Sequence, residues 1–518
     1  MCSGKIRLLF SFLAFLFCLS AAGAAQAATS DDCAALTGRS GQTITTAMLV
    51  ERGMVPAAPG QAATRLPTYC RVTGIIRPVP GSEIGFEVWL PLPGQWTGRL
   101  QMLGNGGYSS DLPRAQMLQG LARGSVVVAT DTGHKGDDPD FALGHTQAIA
   151  DWGYRAVHQS LVEAKRLTRL LYGRAAAHAY FNGCSTGGHQ ALMEAQRFPK
   201  DFDGIVAGAP GADRVRLNAA FLWQFLSNHR AGDNQHPILG AQDLALLQRA
   251  SFLACHDRNG GSAGGDRSDA WLDDPLSCRF DPDSLACPQK LGDACLSPDQ
   301  VVAARSMYHG ASDSTGRIVT TPWLPGSEKG WAAYWADPYN PAQPARVNFW
   351  RIWAFGDPGW DWWRFSYDRD LPEVQRKLGA AIDATDPDLH LYRRHGGKLL
   401  QYHGLADPVV SPLDSVRYFA RVEAAIGREA MADWYRLFLV PGMGHCAGGE
   451  GFWRFDAQAA IEAWVEAGVP PRAIDATGAA GQGARPLCPY PARAVAGSNG
   501  SGRPSFTCIQ SGPMRKAL

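Results

Sequence analysis

Short apolar, β-rich runs recur along this chain, each closing on Gly, Asp or Asn and followed by a stretch with helical spacing. Residues 125–130, 205–207, 398–403 and 435–440 are the clearest. The alternation predicts a parallel sheet covered by helices, an α/β fold. In such sheets ligands bind outside the carboxyl ends of the strands, so the loops after these runs are where chemistry is expected.

Between Pro210 and about Gly397 the rhythm breaks. The stretch carries four cysteines, a Gly/Ser/Asp-rich segment over 259–269, and seven of the sixteen tryptophans between Trp331 and Trp363. It reads as an insertion: a catalytic domain is expected from 28–212 and 398–518, with a lid domain over 213–397. A chain of 518 residues has room for both. The tryptophans have two readings, the core of a small domain or an aromatic wall against a bound ligand.

Lys5 and Arg7 precede an apolar run over 8–19, and Ala25-Gln26-Ala27 offers small residues for cleavage, so 1–27 reads as a signal peptide. The run is shorter than the roughly 20 residues that span a bilayer, so a secreted or periplasmic protein without a membrane partner is expected after cleavage. With 19% charged residues and a net charge of +1, no basic excess points to nucleic acid. A small apolar or neutral partner fits better. Removing Cys2 and Cys18 with the signal leaves ten of twelve cysteines, and an even number in an exported chain predicts five disulfides. No C-x-x-C pair points to structural zinc.

Gly183-Cys184-Ser185-Thr186-Gly187 matches G-x-S-x-G, with apolar Ala179-Tyr180-Phe181 before it and a helical pattern through Ala191, Leu192 and Ala195 after it. That is the strand-turn-helix setting of a nucleophile elbow, which would raise Ser185 Oγ above the sheet. The same architecture orders its partners as Ser, then Asp or Glu, then His. Asp407 follows the run at 398–403, and His445 follows the run at 435–440. His445 is expected to move the proton and Asp407 to orient the imidazole. Asp414 and His403 compete, but Asp414 falls where a helix would already have begun, and His403 precedes the acid. Thr186 N–H is one expected oxyanion donor, and Gly106 or Gly107, after the run at 100–103, is the other.

Several blocks together make the chain resemble the tannase and feruloyl esterase family. They are Gly-Cys-Ser-Thr-Gly-Gly at 183–188, Pro-Gly-Met-Gly-His-Cys at 441–446, Asp-Trp-Gly-Tyr-Arg-Ala-Val-His at 151–158, Phe-Pro-Lys-Asp-Phe-Asp-Gly at 198–204, and Arg-Pro-Leu-Cys-Pro-Tyr-Pro at 485–491. The resemblance runs from Cys33 to Cys508 and is thinnest in the insertion. It implies an α/β-hydrolase fold with a large inserted lid domain, a Ser-His-Asp triad, and a Cys184–Cys446 disulfide tying nucleophile to base. If Ser185 and His445 meet, their neighbours can reach the Cα separation of about 4.4–6.8 Å that a bridge needs. Family order implies the pairs Cys33–Cys70, Cys255–Cys278, Cys287–Cys295 and Cys488–Cys508.

The resemblance further implies hydrolysis of esters of aromatic acids: gallates, hydroxycinnamates or, in one branch, mono(2-hydroxyethyl) terephthalate. Lid Trp and Tyr residues would then hold the acyl group, and catalysis needs no cofactor. Family members often carry a lid calcium. Here Asp257, Asn259, Asp266, Asp269 and Trp271 are the candidates, but the spacing is stretched and His256 stands where an acid is expected, so a solvated acidic loop is the equal alternative. A peptide amidase would use the same triad, and a non-catalytic binding protein would normally have lost part of it.

Overall fold

In the computed structural model, residues 30–39, 44–51, 53–55, 64–256, 270–287, 294–478, 483–497 and 505–510 are described. The expected signal peptide at 1–27 lies outside them. Nine strands form one sheet: β1 (Ile44–Val50), β2 (Tyr69–Ile76), β3 (Ile84–Pro91), β4 (Arg99–Leu103), β5 (Val126–Thr130), β6 (His178–Cys184), β7 (Gly204–Gly208), β8 (Lys398–Gly404) and β9 (Tyr435–Val440). Their spatial order is β1-β2-β3-β5-β4-β6-β7-β8-β9. The pairs from β5 to β9 are all parallel, whereas β1, β2, β3 and β5 pair antiparallel.

Alternate strand residues feed two cores. Phe181, Ile205, Leu399 and Leu437 pack with Val157, Leu161, Leu192 and Val416 from three helices. Their strand neighbours Tyr180, Val206, Leu400 and Phe438 pack with Ile461 and Trp464 of the helix Ala457–Ala467. Both faces are thus dry, which is why these strands read as mostly apolar runs, even with the buried Gln401 and His403 in β8. The leading antiparallel strands gave no such run. β2 alternates between buried and half-exposed residues, and β3 is interrupted by Glu87, a buried carboxylate satisfied by Arg71 at 2.6 Å and by the Trp89 indole N–H.

Between β7 and β8 the described residues add helices but no strand to the sheet. Leu239, Leu247, Leu296, Met307, Trp323, Trp331 and Trp335 form a core of their own there. A second cluster joins Trp350 and Trp353 to Tyr108 and Trp152 of the sheet-bearing part. Among the described residues five disulfides form: Cys33–Cys70, Cys184–Cys446, Cys255–Cys278, Cys287–Cys295 and Cys488–Cys508.

Candidate active site

Ser185 sits at the turn between β6 and the helix Thr186–Arg197, with φ +62° and ψ −115°, a strained conformation for a residue with a Cβ. The turn is held from both sides, because Ser185 N–H donates to Gly208 O and Ser185 O accepts from His189 N–H, each at 2.9 Å. Close approach fixes the neighbouring glycines. A Cβ on Gly104 would stand 2.5 Å from the Gly187 Cα, and one on Gly188 would stand 2.1 Å from the Gly208 carbonyl oxygen. The elbow and the loop after β4 can therefore touch backbone to backbone.

Asp407 follows β8 and is 1% exposed. Its Oδ1 accepts from Val409 N–H at 2.8 Å and Val410 N–H at 3.0 Å, and its Oδ2 stands 2.7 Å from His445 Nδ1. Burial pushes the carboxyl up, but the charge of His445 and the hydrogen bonds from His403 and His445 outweigh it and hold Asp407 well below the usual carboxylate range. The imidazole is thus presented with Nε2 free for a second partner.

The Cys184–Cys446 disulfide, with Cα atoms 5.9 Å apart, joins the residue before Ser185 to the residue after His445. Ser185, His445, Gly106 and Gly107 line one cavity of about 800 Å³. Thr186 is fully buried beneath it, and its hydroxyl donates to Gly107 O at 2.7 Å, linking the two loops expected to supply oxyanion donors.

Two residues weighed as competitors sit elsewhere in the network. Asp414 lies in the first turn of the helix Pro412–Ile426 and takes a hydrogen bond from Thr321. His403 supports the acid: its Nε2 lies 3.2 Å from Asp407 Oδ2 and 2.9 Å from Val410 O. Nε2 thus faces two acceptors and carries the ring proton, shared between Val410 O and the carboxylate, while Nδ1 stands 2.7 Å from Ser415 Oγ, which also accepts from Gln401. Sequence order alone excluded His403 as the base and gave no hint of this second role.

Of the two readings of the insertion's tryptophans, Trp331, Trp350 and Trp353 follow the first: they are at most 2% exposed and form core, as the large apolar area of an indole favours. Among the described residues of the inserted segment, Tyr334 alone lines the cavity; Tyr402, Trp453 and Phe455 come from the sheet-bearing part. Trp453 and Phe455 stand just after the His445 loop, a proximity the sequence held but the tryptophan count in the insertion obscured.

Of the calcium candidates, Asp257, Asn259, Asp266 and Asp269 lie outside the described residues. The Trp271 indole N–H points to Asp273, whose carboxylate is held by Arg485 at 2.7 Å, so that neighbouring acid is already neutralised. Elsewhere, among the described residues, His158, Glu194 and Asp201 bring possible ligand atoms within 4.8 Å of one another. There His158 Nδ1 already stands 2.6 Å from Asp201 Oδ2 and Lys165 Nζ 3.9 Å from Asp201 Oδ1, and burial, reinforced by Asp201, pushes the Glu194 carboxyl well up, which favours a neutral acid over a metal ligand.

The sequence matches the family model described as tannase and feruloyl esterase over residues 70–509. The chain belongs to this family. Among its relatives are the mono(2-hydroxyethyl) terephthalate hydrolase of Piscinibacter sakaiensis, 34% identical with 86% of this chain and 85% of that protein covered, and a probable feruloyl esterase B-2 of Aspergillus terreus, 30% identical with 82% and 83% covered. A crystal structure of an esterase from Aspergillus oryzae superposes with a TM-score of 0.80 at 26% identity, covering 93% of this chain and 100% of that one. The fold is accordingly that of an α/β-hydrolase, and this family member is a carboxylic ester hydrolase.

Proposed function

We propose that this tannase and feruloyl esterase family member is an exported serine esterase that cleaves esters of aromatic acids through an acyl-enzyme. The observation that carries the reading is the shared cavity of Ser185 and His445, with His445 Nδ1 held by the buried Asp407. His445 Nε2 takes the Ser185 proton as Oγ bonds to the ester carbon. The negative oxygen is met by the N–H of Thr186 and of Gly106 or Gly107. As the carbonyl re-forms, the C–O bond to the alcohol breaks and His445 returns the proton to the departing oxygen. Water then repeats the sequence and frees the acid.

Support for an aromatic acyl group comes from Tyr334, Tyr402, Trp453 and Phe455 around the cavity and from relatives described as feruloyl esterases and a terephthalate monoester hydrolase. Five disulfides favour an oxidising compartment. Methyl ferulate, methyl gallate and mono(2-hydroxyethyl) terephthalate assayed side by side test the substrate class: hydrolysis of at least one is expected, and folded protein that cleaves none refutes it.

Calcium held by Asp257, Asn259, Asp266, Asp269 and the Trp271 carbonyl would be structural, bracing the insertion without entering the reaction. Addition of calcium to chelator-treated protein is then expected to raise the melting temperature, and no change removes the ion from the account.

A further inference from the structure

Arg214 opens the helix Arg214–Ser227, where the chain leaves the sheet for the inserted segment, and it is 4% exposed. No carboxylate lies at ion-pairing distance from its guanidinium among the described residues. The group instead lies over the Trp152 ring, 5.1 Å from the centroid, and donates to Thr186 Oγ1, while its Nε finds no acceptor. Gly211 leaves the space, since a Cβ there would come within 3.3 Å of Arg214 Cζ. The charge is thus buried, unpaired and placed at the positive end of a helix, three unfavourable conditions at once.

What the guanidinium touches gives it a purpose. Thr186 is the residue whose N–H is read as an oxyanion donor. A guanidinium only donates, so the Thr186 hydroxyl must accept from it and direct its own proton elsewhere. That proton goes to the Gly107 carbonyl at 2.7 Å. Gly107 has φ +54°, a conformation its own sterics do not enforce, so contacts must hold it. Arg214, Thr186 and Gly107 form one polarised chain across the two loops that meet above Ser185.

We propose that Arg214 is a positioning residue for the oxyanion hole, fixing Gly107 through the Thr186 hydroxyl and keeping a positive charge behind the Thr186 donor. The inference rests on the acyl-transfer reading of Ser185. A preorganised charge in a dry site favours the state in which the carbonyl oxygen has become negative, so its loss appears in kcat and leaves KM nearly unchanged.

A double-mutant cycle with Arg214→Gln and Thr186→Val, read on p-nitrophenyl butyrate, tests it. Removing an oxyanion donor costs roughly 10²–10³ in kcat, and a residue acting through one is expected to cost about 10-fold or more. The double variant is expected to be no slower than Thr186→Val alone, because both changes cut the same chain. Arg214→Lys, which keeps a cation and a donor, should recover part of the loss. The melting temperature of Arg214→Gln should not fall, since an unpaired buried charge has gone. Wild-type kcat in Arg214→Gln, or losses that multiply in the double variant, overturns the proposal. Should Arg214→Gln fail to fold, Thr186→Ser against Thr186→Val makes the same comparison: serine keeps the relaying hydroxyl and should stay near wild type, and equal losses in the two are contrary. Ser185→Ala in parallel separates the two readings, because turnover surviving there strikes the acyl-transfer mechanism itself.

Discussion

Four donors converge on the Asp407 carboxylate: two backbone N–H groups and the imidazoles of His445 and His403. With its pKa depressed, Asp407 contributes stability that is fully present above the ordinary carboxylate range and is lost as pH falls toward its folded value, so it stays ionised wherever the enzyme works. His403 is the donor a sequence reading does not find, because its service to Asp407 depends on the turn that folds residues 404–410 back onto β8. A hydrogen bond to a charged group is worth about 1.5–3 kcal/mol. If that is expressed in the barrier, His403→Phe should lower kcat about 10- to 100-fold with KM little changed. Steady-state kinetics on any accepted ester checks this, and an unchanged kcat would show that His445 and the backbone suffice.

At the scale of elements, the site is assembled from the ends of strands. β6 delivers Cys184 and Ser185, β8 delivers Asp407, and the loop after β9 delivers His445 and Cys446. The bridge spans 262 residues of chain, and the entropy model assigns such a loop about 5 kcal/mol, a figure that real disulfides often miss. Its geometric effect is more certain to reach the chemistry, since a misplacement of about 1 Å at reacting groups can cost roughly 10²-fold. The Cys184→Ala/Cys446→Ala variant is therefore expected to keep its far-ultraviolet circular dichroism and lose at least about tenfold in kcat. Full turnover by that variant would reduce the bridge to a staple. These strand ends were readable because β6 to β9 are dry on both faces. β1 to β3 were not, because half-exposed positions and the paired Glu87 break their apolar runs.

Across the whole molecule, chain order carried most of what the sequence disclosed. Ser185, Asp407 and His445 stand in the order and at the strand ends that an elbow architecture demands, and Cys184 and Cys446 mark where they meet. The cavity wall was hidden for the opposite reason. Tyr334, Tyr402 and Trp453 come from segments that meet only in the folded chain, whereas Trp331, Trp335, Trp350 and Trp353 of the tryptophan-dense insertion fill cores. Arg214 was not legible either, since an arginine in the first turn of a helical stretch, with Arg216 beside it, looks like a surface residue until its burial is seen. The central claim is covalent attack by Ser185. Intact-mass and peptide-mass measurement of enzyme acid-quenched during turnover of a p-nitrophenyl ester tests it most directly. One acyl group on the peptide carrying Ser185, absent in Ser185→Ala, is the expected result; active enzyme carrying no adduct, together with turnover by Ser185→Ala, would contradict it.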